Sequence, residues 1–341
     1  MRAHNPIILE AMKALKQSRT ARPAAALAGL LLLAGGLNHA ASQQPPPPTA
    51  SETLRVDVRV VNVYCTVKTK KGALITDLET SDFEIREDGK KQELRYFVRE
   101  TDRPLTLALL LDTSISQKAV LPIEIETAAQ FFRQVLRPVD LALLMSFDVN
   151  VDLLHDFTSD VEQLQESLQL ARINSPVDLG PFPRTRTAGT RLYDAIYLAS
   201  REKLGPEVGR KAIILVTDGF DSGSSKKEKE ALEAAHRGEI ILYAIGVADP
   251  HFYQSRGGTL IGASVLKKLA RETGGLAVFP RNPEQLRRAF EQIATELRSQ
   301  YILGYTPTNR AYDGRFRKIE VKVKRKGLKV QARRGYYAPT R

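Results

Sequence analysis

Residues 105–116 read Leu-Thr-Leu-Ala-Leu-Leu-Leu-Asp-Thr-Ser-Ile-Ser. An apolar run of strand length without polar alternation fits a strand covered on both faces, as in a parallel sheet sandwiched by helices. The run ends in Asp112, with hydroxyls at Ser114 and Ser116. At the carboxyl end of such a strand the chain leaves the core, where open α/β sheets place their ligand sites. One carboxylate and two hydroxyls within five residues form a hard oxygen set. It suits Mg²⁺ rather than zinc, which prefers nitrogen and sulfur.

Working outward, two further segments carry matching chemistry. Ala188-Gly189-Thr190 precedes a helix-like stretch, Arg191–Glu202, and Thr217-Asp218-Gly219 follows a second apolar strand, Ala212–Val216. In a doubly wound sheet the loops after neighbouring strands converge at one edge. That convergence gathers Asp112, Ser114, Ser116, Thr190 and Asp218 into one oxygen-rich pocket. Mg²⁺ keeps several waters and takes few direct protein ligands, so one coordination position stays exchangeable and open to an outside carboxylate. Mn²⁺ is an equally hard alternative.

Strands and helices alternate from Leu105 to Tyr305. Val139–Phe147, Ala212–Val216 and Ile240–Val247 are apolar runs of strand length. Ser159 with Glu162 reads as a capping box, Asn282-Pro283 opens a helix, and Gly274-Gly275 closes Ala263–Thr273. The fold class expected is α/β: a doubly wound, mainly parallel sheet flanked by helices, with a small β unit built from both flanking segments. In the flanks, Val61, Val63, Cys65 and Val67 alternate before the Glu87-Asp88-Gly89-Lys90 hairpin signal. Ile319, Val321 and Val323 alternate with lysines near the end. Each flank is too short to fold alone, which predicts that they pair.

The expected organisation is a signal peptide over 1–42, a Pro-rich linker over 43–53 and an N-terminal β segment over 54–102. The α/β domain follows over 103–306, then a basic C-terminal β segment over 307–341. Arg2, Lys13, Lys16, Arg19 and Arg22 precede the apolar stretch Ala24–Leu37, and Ala40-Ala41-Ser42 is a small-residue exit. This predicts export to the bacterial periplasm or exterior, peripheral to the membrane unless the signal is kept as an anchor. The 341 residues hold a single cysteine, so no internal disulfide and no cysteine zinc site exists. The formal charge is +12, and residues 315–341 hold eleven Lys/Arg against Glu320.

Asp112-Thr113-Ser114-Ile115-Ser116, Gly189-Thr190 and Thr217-Asp218-Gly219, in that order, resemble the metal-ion-dependent adhesion site (MIDAS) of von Willebrand factor A (VWA) domains. The flanking Ser81-Asp82-Phe83, Glu87-Asp88-Gly89, Tyr301–Tyr305 and Arg334-Gly335-Tyr336-Tyr337 are similar to an exported bacterial subgroup, the acidobacterial VWFA-related proteins. The resemblance implies that Ser114, Ser116 and Thr190 ligate the metal directly while Asp112 and Asp218 act through water. It also implies that a last helix, about Asn282–Ser299, shifts when ligand binds.

The function expected is therefore a non-enzymatic adhesion or scaffolding module that meets an exposed Asp or Glu of a protein partner through the metal. The segment Arg172–Thr187 is a candidate specificity loop. An alternative is metal-independent binding of anionic envelope polymers or lipids by the basic C-terminal strands, for which Lys318, Lys322 and Lys324 form a candidate patch. A Mg²⁺-dependent hydrolase is a weaker alternative: His155, His236 and His251 lack motif context, and neither G-x-S-x-G nor a phosphate-binding G-x-x-x-x-G-K-[ST] loop is present. Nucleic acid is not an expected partner of an exported chain.

Overall fold

The computed structural model describes residues 60–100, 103–173, 189–247 and 262–340. The expected signal segment over 1–42, the expected linker over 43–53, most of Arg172–Thr187 and His251 lie outside the described residues. The N-terminal flank forms β1 (Val61–Thr69), β2 (Phe83–Glu87), β3 (Lys90–Gln92) and β4 (Leu94–Glu100). The middle of the chain forms β5 (Leu105–Asp112), α1 (Leu121–Val135), β6 (Leu141–Phe147), β7 (Val151–Thr158), α2 (Val161–Leu168) and α3 (Leu192–Leu198). It continues through β8 (Arg210–Thr217), α4 (Glu228–Arg237), β9 (Ile240–Gly246), α5 (Ala263–Thr273), β10 (Ala277–Val278) and α6 (Pro283–Leu297). The C-terminal part supplies β11 (Gln300–Tyr305), β12 (Phe316–Val323), β13 (Leu328–Ala332) and β14 (Gly335–Tyr337).

The central sheet has the order β10-β9-β8-β5-β6-β7, parallel except for β7, which runs antiparallel to β6 at the edge. Every residue of β5 is buried. The pleat divides its apolar run between two cores. Leu105, Leu107, Leu109 and Leu111 face Phe131 and Phe132 of α1 and Phe290 and Ile293 of α6. Ala108 and Leu110 join Leu192 and Ile196 of α3 and Leu266 and Leu269 of α5. This is the two-faced α/β architecture expected from the sequence. Because β5 lies between β6 and β8, the chain winds outward from it in both directions, and its carboxyl end is a topological switch point.

Local signals place the helix ends. Asn282 caps α6 by accepting from the Gln285 amide, and Gly274 closes α5 with φ +87°. At α2 the cap is Asp160 rather than Ser159: its carboxylate accepts from the amides of Glu162 and Gln163. A carboxylate one residue nearer the first turn reaches two orphan amides, where the serine reaches neither.

The flanking strands form two four-stranded sheets, β13-β1-β11-β4 and β14-β12-β2-β3, so strands from both ends of the chain hydrogen-bond to each other. By sequence β11 falls inside the 103–306 segment. In the structure it pairs with β1 and β4. Its Tyr301, Leu303 and Tyr305 enter a core with Val61, Val63, Cys65, Val67, Phe83 and Ile85. Two phenols, Tyr305 at 2.8 Å and Tyr336 at 2.9 Å, donate to one oxygen of the buried Glu87. Burial pushes the Cys65 thiol up, as befits a small core side chain. Among the described residues no helix is long and apolar enough to cross a membrane.

Candidate metal centre

The carboxyl end of β5 delivers Asp112 into a fully buried position, where both of its oxygens are engaged. Oδ1 accepts from the Ser114 amide at 2.9 Å, and Oδ2 accepts from the hydroxyl of Thr217, the last residue of β8. The Ser114 amide bond is an Asx-type turn, which bends the chain so that the next two serines face the strand end. Ser114 Oγ and Ser116 Oγ then lie 3.0 Å apart, and Ser116 Oγ donates to Asp218 Oδ2 at 2.7 Å. Asp218 Oδ1 in turn accepts from the Phe220 amide at 2.8 Å. Asp112, Ser114, Ser116 and Asp218 thus form one connected network.

Thr190 reaches this edge through its backbone. Its amide donates to Ser222 Oγ at 3.0 Å, and its carbonyl accepts from the amides of Ser222 and Gly223. The Arg191 amide donates to the Asp148 carbonyl at 2.9 Å, and Asp148 Oδ2 accepts from Thr113 Oγ1 at 3.0 Å. The loop bearing Thr190 is thereby tied both to the turn after Asp218 and to the turn after Asp112.

Glycine permits the Asp218 turn. Gly219 has φ +79°, and a Cβ there would lie 2.7 Å from the Gly262 carbonyl oxygen. A Cβ on Gly262 would lie 2.1 Å from the Gly219 carbonyl carbon. The turn after β8 and the start of α5 therefore meet backbone to backbone, a fit only glycine allows.

Electrostatically the site crowds buried carboxyl groups whose charged forms are disfavoured as they stand. Desolvation first, and the neighbouring Asp218 second, push Asp112 up to about 7. Glu124 of α1 lies fully buried with neither carboxylate oxygen hydrogen-bonded. Burial raises it well above the usual carboxylate range, and the charges of Asp112 and Asp218 raise it further. Two carboxylates facing hydroxyls, with a third nearby, form an environment that a hard divalent cation would neutralise. The oxygen-only donor set fits Mg²⁺ or Mn²⁺. Among the described residues no group of three or more His, Cys, Asp or Glu side chains is placed to hold a metal ion. The hydroxyls must therefore complete any shell here.

Sequence reading missed Thr217, Asp148 and Glu124. Thr217 sits within the motif as quoted, but its bond to Asp112 depends on the β5–β8 register. No local signal marks Glu124, an ordinary-looking acid on a helix. The histidines are accounted for differently: His236 is buried against the rings of Phe316 and Tyr337.

No protein-family model and no curated protein matches this sequence. Solved structures to which the chain is similar include an aerotolerance-related membrane protein from Bacteroides fragilis. That protein is 20% identical, covers 56% of this chain and 99% of its own, and gives a TM-score of 0.42. The vWF domain of the type V pili tip protein Mfa5 from Porphyromonas gingivalis is 14% identical over 58% of this chain and 96% of its own, with a TM-score of 0.42. Proximal thread matrix protein 1 from the mussel byssus, solved with a zinc-occupied MIDAS motif, is 14% identical over 62% of this chain and 49% of its own, with a TM-score of 0.43.

Proposed function

We propose that this chain is an exported, non-enzymatic protein-binding module of the VWA type, related to the acidobacterial VWFA-related subgroup. In this reading Asp112, Ser114, Ser116, Thr190 and Asp218 hold a divalent cation, Mg²⁺ or Mn²⁺. The observation that carries the reading is the hydrogen bond from Ser116 to Asp218, which joins two halves of an oxygen cluster at the switch point of the sheet. When bound, the cation supplies a positive centre with an exchangeable position for an oxygen ligand.

The chain's own residues do the rest. Asp112, with both oxygens already bonded, orients Ser114 and Thr217 and contributes charge more readily than a direct ligand atom. Ser114, Ser116 and Thr190 offer neutral oxygens, so the site keeps enough positive charge to attract an outside carboxylate. Ile115 and Phe220, each next in sequence to a site residue or one removed from it, are 42% and 44% exposed. An apolar rim around a polar centre suits a protein surface carrying an Asp or Glu. His236 is a poor proton carrier in this reading, being buried with its basicity lowered to about 4 mainly by desolvation.

The organisation proposed with this reading is a signal over 1–42 and a linker over 43–53, with periplasmic or extracellular placement. A central α/β module then presents its site above a β unit drawn from both flanks. The test is calorimetric titration of the purified chain with Mg²⁺ and Mn²⁺, beside Asp112→Ala, together with a chelator-reversible pull-down from envelope extract. Saturable cation binding lost in the variant supports the reading. No heat with either ion, and identical captured partners with both proteins, would refute it.

A further inference from the structure

Away from the metal centre, a cleft of about 630 Å³ is lined by β1 and its following turn, β12, β13, the end of α5 and the residues leading into β14. Seven Lys or Arg side chains line it against one acid, Glu320. Three of the eight charges are internally compensated. Lys68 pairs with Glu296, Arg333 with Glu239 at 3.0 Å, and Glu320 is taken by Lys318 from outside the lining. Arg271 contacts Glu272 at 3.3 Å. Lys70, Lys322, Lys329 and Arg334 form no ion pair among the described residues, and all four are exposed. Glu84, opposite Lys322 in the β2–β12 ladder, is held by Arg86.

Lys329 stands directly across the β1–β13 ladder from Lys68, whose charge is taken up by Glu296, so no acid faces Lys329 from β1. Three separate stretches of chain therefore bring four exposed cations without an ion-pair partner to one concavity, Lys322 alone among them facing an acid, Glu84, across its ladder. A concave site of this size suits a small ligand or a chain segment better than a flat bilayer. Lysine heads are flexible point charges that bind phosphate without demanding planar bidentate geometry. Phosphate groups carry one to two negative charges each, so two of them match the four free cations.

We propose that this cleft binds an anion carrying two or more phosphate groups, independently of any divalent cation. The tripartite lining differs from the strand face of Lys318, Lys322 and Lys324 that the sequence suggested: only Lys322 belongs to it, and Lys318 is paired with Glu320.

The experiment is calorimetry of the full chain, in chelated buffer, with inorganic triphosphate as the probe. Binding is expected, weaker for inorganic phosphate, and weaker at high salt because screening shortens the reach of the cations. Lys70→Glu/Lys329→Glu should weaken triphosphate binding about tenfold or more, since four units of charge change within the cleft. Both side chains are exposed, so the variant should fold. Lys90→Glu/Lys91→Glu changes the charge equally outside the lining and should leave affinity within about twofold. Asp112→Ala should bind triphosphate normally, so failure here and failure of the metal reading are separable. The proposal is overturned if triphosphate does not bind, if phosphate binds equally well, or if both charge-reversal variants lose affinity alike. Sedimentation with phosphatidylglycerol vesicles in the absence of triphosphate binding also overturns it, by assigning the charge to a membrane surface.

Discussion

The hydroxyl of Ser116 donates to Asp218 Oδ2 across 2.7 Å, bridging 102 residues of sequence. Ser116→Ala removes the donor from a buried carboxylate, a loss of about 1.5–3 kcal/mol for a charge-assisted bond. Urea unfolding of the chelated protein should show that loss. Calorimetry should show Mg²⁺ affinity reduced by about tenfold, the effect of 1.4 kcal/mol. An unchanged affinity would place the cation elsewhere.

Asp112 is held up to about 7 by burial and Asp218, against an unfolded value of about 3.9. Between about pH 4 and pH 7 the folded state then binds more protons than the unfolded chain. The contribution of Asp112 to the stability of the chelated protein should fall as pH rises through that window. Every tenfold difference in proton affinity between the two states corresponds to about 1.4 kcal/mol. Denaturation of wild type and Asp112→Asn side by side isolates this slope, which the variant should lack. Mg²⁺ should restore wild-type stability at neutral pH and leave Asp112→Asn less affected. Parallel profiles for the two proteins would count against the assignment.

Glu124 buries a carboxyl with no hydrogen-bond partner beside two other acids. Glu124→Met fills similar space without the desolvation cost, and should stabilise the chelated protein by about 1–3 kcal/mol. Thermal melts at neutral pH read this directly; a lower melting point would show that Glu124 has a structural partner after all.

His236 titrates in the opposite sense. Its folded value, lowered to about 4, lies below the unfolded value near 6.5, so the unfolded chain binds the extra proton. This residue makes stability rise with pH from about 4 to about 6.5 and adds nothing further above it. His236→Phe should flatten that rise while keeping the contacts to Phe316 and Tyr337. Proton NMR of the imidazole in the folded state offers an independent check: titration near 6.5 would contradict the burial argument.

Gly219→Ala forces a Cβ to within 2.7 Å of the Gly262 carbonyl oxygen at a positive φ. The left-handed conformation alone costs about 1–2 kcal/mol, and the backbone clash adds to it. Because Asp218 precedes this glycine, the expected signature is weaker Mg²⁺ binding together with lower stability. Gly72→Ala serves as the control, since Gly72 also has positive φ but nothing within 4 Å of its Cβ position. It should lose stability only.

Much of the fold was legible because its signals are local. An eight-residue apolar run cannot satisfy both faces of a strand unless both are covered, and the β5 run indeed feeds two cores. The β character of the flanking segments was legible too, but the role of their polar residues was not. Glu87, Tyr301, Tyr305 and Tyr336 meet inside the flank core, where their polar atoms bond to one another or to backbone. Ser159 misled because capping depends on which oxygen reaches the first amides, a matter of a single residue.

By itself, then, the sequence determined the α/β class, the oxygen-bearing turn after β5 and the β character of both flanks, since periodicity and turn chemistry act within a few residues. Tertiary structure alone decided that β11 joins the flank sheets, that Glu124 is buried beside Asp112 and Asp218, and that Lys70, Lys322, Lys329 and Arg334 share one cleft. These depend on register and burial between segments far apart in the chain. A buried carboxyl or a lysine pair across a ladder looks like any surface charge until strand pairing sets its neighbours.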